Sequence, residues 1–159
     1  ETEGVADDPE GAAVYGDVVE TWRRLDESSR RRAHLAALPM YDVEENAAMV
    51  NAIQRGADVI VQKSIAEGFG LTVAEAMWKR RPVVGSRVGG IQDQVVDGET
   101  GLLVDDPRDL AGCAAAIESV LADPERARRM GEAGRQRVFD HYLAIHRLRE
   151  YAELVGGLL

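Results

Sequence analysis

One cysteine, Cys113, is all that this 159-residue sequence contains. A single thiol excludes an intramolecular disulfide framework and a cysteine-based zinc site. Its place on an apolar helical face reads as a small buried hydrophobe. The three histidines, His34, His141 and His146, form no His-x3-His or His-Glu pattern with metal-ligand spacing. No apolar run reaches the roughly 18 residues that a membrane span needs. No Gly-x4-Gly-Lys-Ser/Thr occurs, which removes a P-loop nucleotidase, and Ser64 lacks the Gly-x-Ser-x-Gly setting of a hydrolase elbow. Positive charge is scarce: 19 Lys+Arg stand against 28 Asp+Glu, a net charge of −9. That balance argues against nucleic acid or a membrane surface as partner. The opening residues, ETEGVADDPEG, have neither a basic n-region nor an apolar h-region, so the expected compartment is the cytoplasm. They also lack an initiator methionine and read as loop, and the expectation is a piece of something larger.

What is present is a 45% hydrophobic, alternating pattern. Val14–Arg32 reads as a helix, Ala33–Leu38 as a short strand stopped by Pro39, and Val43–Arg55 as an amphipathic helix. Ala57–Val61 is apolar on both faces, as a buried parallel strand is. A helix over Thr72–Lys79 and strands at Pro82–Gly85 and Leu102–Val104 follow, with the glycine pair Gly89–Gly90 and a turn at 97–101 between the strands. Asp106-Pro107 and Asp123-Pro124 read as helix starts, the first helix turning Leu110, Cys113, Ile117 and Val120 inward. The basic stretch Arg126–Arg137 reads as a solvated helix, and Leu143–Leu154 as a last amphipathic one. Strands alternating with helices imply one α/β domain, a Rossmann-like parallel sheet with helices on both faces.

The chemistry concentrates in Ser64–Lys79, S-I-A-E-G-F-G-L-T-V-A-E-A-M-W-K. This segment follows a buried strand, at the carboxyl end where open parallel sheets bind ligands. Gly68 and Gly70 flank Phe69 and allow close backbone approach, and a helix starts near Leu71–Thr72. Its free amides and dipole suit a phosphate or diphosphate. Glu67 and Glu75 flank that start; carboxylates repel phosphate but accept hydroxyl hydrogens. The ligand this describes has an anionic middle and hydroxyls at both ends, as a nucleotide sugar does. A plain connecting turn, with a solvated Glu75 and a Phe69 that plugs the sheet edge, stays open beside it.

The run E-G-F-G-L-T-x-x-E, with A-M-W-K, P-V-V-G, V-G-G-I and V-D-G-E-T-G-L-L-V after it, resembles the carboxyl-terminal domain of GT-B-fold retaining glycosyltransferases. The E-x7-E signature of that family falls on Glu67 and Glu75. The wording D-D-P-E-G, V-N-A-I-Q-R and E-G-F-G-L-T-V-A-E-A-M-W-K is most similar to members that join a nucleoside-diphosphate glucose to glucose with retention, giving trehalose. The resemblance implies that Glu67, Gly68, Phe69 and Gly70 hold the donor sugar. It implies that Gly70, Leu71 and Thr72 hold the diphosphate, that Glu75 holds the ribose, and that Pro39, Met40 and Tyr41 border the base. No cofactor or metal is implied beyond the donor itself. The implied partners are the nucleotide sugar, a sugar acceptor and an amino-terminal acceptor domain that this chain does not contain; a homodimer is compatible with the same reading.

The sequence departs from the family in one respect. Nothing before Ala12 could be the opening strand–loop–helix unit that supplies an Arg and a Lys to the diphosphate, and neither Arg30–Arg32 nor Lys63 matches that pair. The expected consequence is a donor-binding half that is inactive alone. A phosphorylase, with phosphate as the leaving group, and a non-catalytic sugar-nucleotide-binding domain are the alternative readings.

Overall fold

The computed structural model describes residues 9–157, so the acidic opening stretch, including Asp7 and Asp8 of the family wording, lies outside the described residues. The chain divides after Ala52 into two compact units. The first holds α1 (Pro9–Arg24), α2 (Glu27–Arg30) and most of α3 (Val43–Gly56). The single helix expected over Val14–Arg32 is interrupted at Asp26, whose carboxylate accepts the hydroxyls and amides of Ser28 and Ser29 and restarts the chain as α2. Those donors, the Ser28 hydroxyl foremost, hold the Asp26 carboxyl well below the usual carboxylate range.

Ala33–Leu38 is not a strand. A strand needs a ladder partner for its backbone groups, and this segment is tied by side chains instead. Trp22 Nε1 donates to the Ala33 carbonyl at 2.7 Å, and Asn46 Nδ2 donates to the Pro39 carbonyl at 2.8 Å. A six-residue run with five apolar members before a proline cannot by periodicity alone distinguish a strand from such a tethered connection.

The second unit contains β1 (Ile60–Gln62), α4 (Leu71–Trp78), β2 (Val83–Ser86), α5 (Gly89–Gln94), β3 (Leu102–Val104), α6 (Leu110–Leu121), α7 (Pro124–His141) and α8 (Ala144–Gly156). The strands form a parallel sheet in the order β1-β2-β3, with Ile60 opposite Val83 and Val84 opposite Leu102. Successive strand residues point to opposite faces, and the two valines of the central strand mark two cores. Val83 packs with Val73, Ala76 and Met77 of α4, Ile91 of α5 and Val138 of α7. Val84 packs with Cys113 and Val120 of α6, bordered by Ile117 and Leu102. Both faces are thus covered by helices, which is why β2 is buried at every position. The expected α/β Rossmann-like architecture is the observed one.

One helix start differs. Asp106-Pro107 does not open α6; Asp106 accepts the Arg108 amide at 2.8 Å in a turn, and Asp109 caps the helix through the Gly112 amide at 2.8 Å. Leu110, the first residue after that cap, is consequently 72% exposed, whereas Cys113 and Val120 are buried as expected. Asp123 does cap α7, with Pro124 at its start.

The contact of α7 with the turn that follows α4 depends on a missing side chain. A Cβ on Gly131 would lie 2.2 Å from the Arg80 carbonyl oxygen, a backbone atom that cannot rotate away. Gly131→Ala gains about 1 kcal/mol in helix propensity but incurs an overpacking cost of about 1–3 kcal/mol. The expected net effect is a loss of stability and a lower Tm. Gly16→Ala, in α1 with nothing within 4 Å of the new Cβ, is expected to be neutral or stabilising by up to about 1 kcal/mol. Parallel denaturant titrations of the two variants check the opposite signs.

Candidate functional site

The loop from Lys63 to Gly70 leaves the carboxyl end of β1 and leads directly into α4. Gly70 is its pivot. The residue has φ 86° and ψ 54°, a left-handed conformation that suits glycine, and a Cβ there would press on Ile91 Cγ1 at 3.2 Å. A glycine cap also contributes no side-chain oxygen to the helix amides. The Val73 and Ala74 amides turn back to the Gly70 carbonyl at 3.0 and 3.3 Å. The Leu71 and Thr72 amides have no partner among the described residues. The positive end of the α4 dipole is therefore left uncapped and faces outward beside an exposed Leu71.

Each carboxylate flanking this helix start is held by neighbours. Ser64 Oγ donates to Glu67 Oε2 at 3.4 Å and accepts from Gln62 Nε2 at 2.9 Å. Glu75 lies one turn into α4, on the side opposite the buried Val73, Ala76 and Met77. Its Oε2 accepts Gln54 Nε2 at 3.3 Å and lies 3.9 Å from Lys79 Nζ, which itself donates to Gln54 Oε1. The Glu75 side chain keeps 49% of its surface exposed while that of Lys79 keeps 12%. A largely buried cation thus orients an accessible carboxylate.

The glycine pair after β2 explains how the loop is fixed. A Cβ on Gly89 would lie 1.6 Å from the Glu67 carbonyl oxygen, and one on Gly90 2.4 Å from that of Phe69. The Gly90 amide donates to the Gly68 carbonyl at 3.0 Å, and Gln94 Nε2 donates to the Phe69 carbonyl. Just before the pair, the Arg87 amide donates to the Val104 carbonyl at 2.9 Å, and its guanidinium binds Asp105 and Asp97. The hydrogen bond to Asp105, first of these contacts, raises the Arg87 pKa.

The expected sugar and diphosphate residues, Glu67 to Thr72, and the expected ribose residue Glu75 are thus brought onto one loop–helix junction. Pro39, Met40 and Tyr41 belong to the first unit, where Met40 and Tyr41 are exposed. Lys63 is exposed and donates to the Pro107 carbonyl. The expected solvated face of Arg126–Arg137 is corrected. Arg135 lies over the Trp78 ring at 4.3 Å and donates to its carbonyl at 3.1 Å, while Arg137 donates to the Gln94 and Asp93 carbonyls at 2.6 and 2.7 Å. Sequence reading missed Gln54, Lys79, Gln94 and Arg137 as neighbours of the site. Only Lys79 left a local signal, the i,i+4 spacing from Glu75. Among the described residues no group of three or more His, Cys, Asp or Glu could hold a metal ion, and no helix is long and apolar enough to cross a membrane.

The fold is an α/β unit of the Rossmann-like kind, a parallel sheet whose carboxyl edge carries an uncapped helix start between two carboxylates. Residues 31–137 match the family of glycosyl transferases group 1, and the chain belongs to that family. It is 40% identical over 152 residues to trehalose synthase of Pyrococcus horikoshii, covering 96% of this chain and 34% of that protein. It is 50% identical over 110 residues to trehalose synthase of Rubrobacter xylanophilus, covering 69% of this chain and 26% of that one. The chain therefore spans about a third or less of these relatives' length. Among solved structures it is similar to sucrose-phosphate synthase from Thermosynechococcus elongatus, with TM-score 0.63 and 35% identity over 85% of this chain and 36% of that one. The carboxyl-terminal domain of a group 1 glycosyl transferase from Francisella tularensis shares the fold, with TM-score 0.70 and 21% identity over 86% of this chain and 66% of that one.

Two glycines of the site have opposite reasons to be glycine. Gly89 has φ 45° and no room for a Cβ, so Gly89→Ala is expected to cost about 2–4 kcal/mol through clash and backbone strain. Gly68 has nothing within 4 Å, so Gly68→Ala is expected to change stability by no more than about 0.5 kcal/mol. Thermal unfolding of the two variants measures the contrast.

Proposed function

We propose that this chain is the donor-binding part of a retaining glycosyltransferase that transfers glucose from a nucleoside-diphosphate glucose to a sugar acceptor, with glucose as acceptor and trehalose as product. The observation that carries this reading is the α4 start, where the unpartnered amides of Leu71 and Thr72 lie between the carboxylates Glu67 and Glu75. Fixed amide dipoles stabilise the charge that grows on a departing diphosphate without reorganising, the form of electrostatic help that needs no protein nucleophile. Glu67 then accepts hydroxyl hydrogens of the donor sugar, and Glu75, oriented by Gln54 and Lys79, accepts those of the ribose. The open space over Gly68 gives the sugar room against the backbone, with Phe69 forming one wall and the Gly70 amide at the diphosphate.

Two carboxylates on either side of a helix start serve an extended ligand better than one scissile bond between them, so neither acts as acid or base here. The acceptor hydroxyl attacks the anomeric carbon from the leaving-group side as its bond to the diphosphate oxygen breaks, and gives its proton to that departing oxygen, which retains configuration. The identity of 40% and 50% with the two trehalose synthases supports glucose as donor sugar and trehalose as product. Since the chain spans about a third of such relatives, we assign the acceptor site, and turnover, to the whole protein in the cytoplasm.

Calorimetric titration tests the assignment, using uridine, guanosine and adenosine diphosphates, their glucose conjugates and inorganic phosphate. A hydrogen bond to a charged group contributes about 1.5–3 kcal/mol, or about tenfold to a hundredfold in affinity. Glu75→Ala is expected to weaken nucleoside diphosphate and its glucose conjugate by that factor, and Glu67→Ala to weaken the glucose conjugate alone. Binding of phosphate without any nucleotide would replace this reading with a phosphorylase, and no binding at all would contradict it.

A further inference from the structure

The donor loop is tied at its start by Lys63 and Ser64, but its Gly68 and Phe69 carbonyls are held by α5, and α5 is itself only six residues long. A helix that short is not stable alone, and its last carbonyls need partners from elsewhere. Those partners come from the end of α7. Arg137 Nε donates to the Gln94 carbonyl at 2.6 Å and Nη2 to the Asp93 carbonyl at 2.7 Å. Tyr142, which caps α7, donates its hydroxyl to the same Asp93 carbonyl at 2.7 Å. A cation at a helix carboxyl end also complements its dipole. The Tyr142 ring meets Phe69 edge to face, with centroids 6.2 Å apart, and lies 6.0 Å beneath the Arg137 guanidinium. Gln94, buried to 1% exposure, passes the restraint on through Nε2 to the Phe69 carbonyl, while its Oε1 has no partner among the described residues.

We propose that Arg137 and Tyr142 are positioning residues for the donor sugar: by holding the carboxyl end of α5, and Phe69 directly, they fix the Glu67–Gly70 loop in its binding geometry. This rests on the donor-binding reading of that loop. Neither residue touches the donor. Tyr142 lies beyond residues 31–137, the stretch that matches the family, so the brace joins the site to a part of the chain outside that match.

Tyr142→Phe removes the hydroxyl donor and keeps the ring; Arg137→Lys keeps the charge and loses the two-pronged grip; Tyr142→Ala removes both of the tyrosine's contacts. Amide hydrogen exchange is compared at Gly90, whose N–H is held by the Gly68 carbonyl, and at Ala122, which closes α6 on the opposite face. Affinities for nucleoside diphosphate and nucleoside-diphosphate glucose are measured on the same proteins. In the two conservative variants Gly90 is expected to exchange about fivefold faster, the equivalent of one net hydrogen bond, with Ala122 unchanged. The glucose conjugate is expected to weaken about fivefold and the nucleoside diphosphate less than about twofold. Tyr142→Ala extends both losses. Unchanged exchange at Gly90, equal acceleration at Gly90 and Ala122, or equal weakening of the two ligands would each overturn the proposal. A wild-type chain that binds neither nucleotide would overturn the donor reading and the ligand half of this proposal, while the exchange comparison still decides whether the brace holds the loop.

Discussion

Everything at the carboxyl edge of the sheet depends on backbone meeting backbone at the Glu67–Phe69 turn. Two glycines at the start of α5 let their chain approach within a distance at which any Cβ would collide with the Glu67 and Phe69 carbonyls. That approach brings the Gly90 amide to the Gly68 carbonyl and the Gln94 side chain to Phe69. The loop is thereby shaped by hydrogen bonds rather than by burial, which leaves its outer surface accessible. An apolar core would have hidden the groups that a ligand has to reach.

The same economy operates at the helix start. A serine or aspartate cap would stabilise α4 but would occupy its amide donors with its own oxygen. Gly70 turns the chain without doing so, and the buried face of Val73, Ala76 and Met77 supplies the helix's stability instead. The protein's acidic balance is no obstacle to an anionic ligand under these conditions, because the local potential comes from fixed dipoles. Those dipoles are present whatever the charge on the rest of the surface. Lys79, largely buried between Gln54 and Glu75, serves the carboxylate.

The central strand was legible in the sequence because two-sided burial writes itself as an unbroken apolar run, as in Pro82–Gly85; Ala57–Val61 is interrupted by Asp58, and its strand starts only at Ile60 with Val61 40% exposed. Glu67 to Glu75 was legible because the loop and the helix it caps are contiguous, so spacing alone carries their geometry. Ala33–Leu38 misled because a tethered connection and a strand share the same short apolar signature. Asp106 misled because Asp-Pro marks a turn as readily as a helix start, and Asp109 three residues later supplied the cap. The braces were not legible at all. Arg137 reaches Asp93 and Gln94 across more than forty residues of sequence, 44 and 43 respectively, and an arginine in a charged helix looks solvated until its partner is placed.

The central claim is that the α4 amides receive a diphosphate. Titrating the isotope-labelled chain with inorganic diphosphate and with a nucleoside diphosphate, and following backbone amide resonances, tests it most directly. The account predicts the largest changes at Gly70, Leu71 and Thr72, with Glu75 responding to the nucleoside diphosphate alone. Undisturbed resonances at Leu71 and Thr72 while others shift on saturation would contradict it.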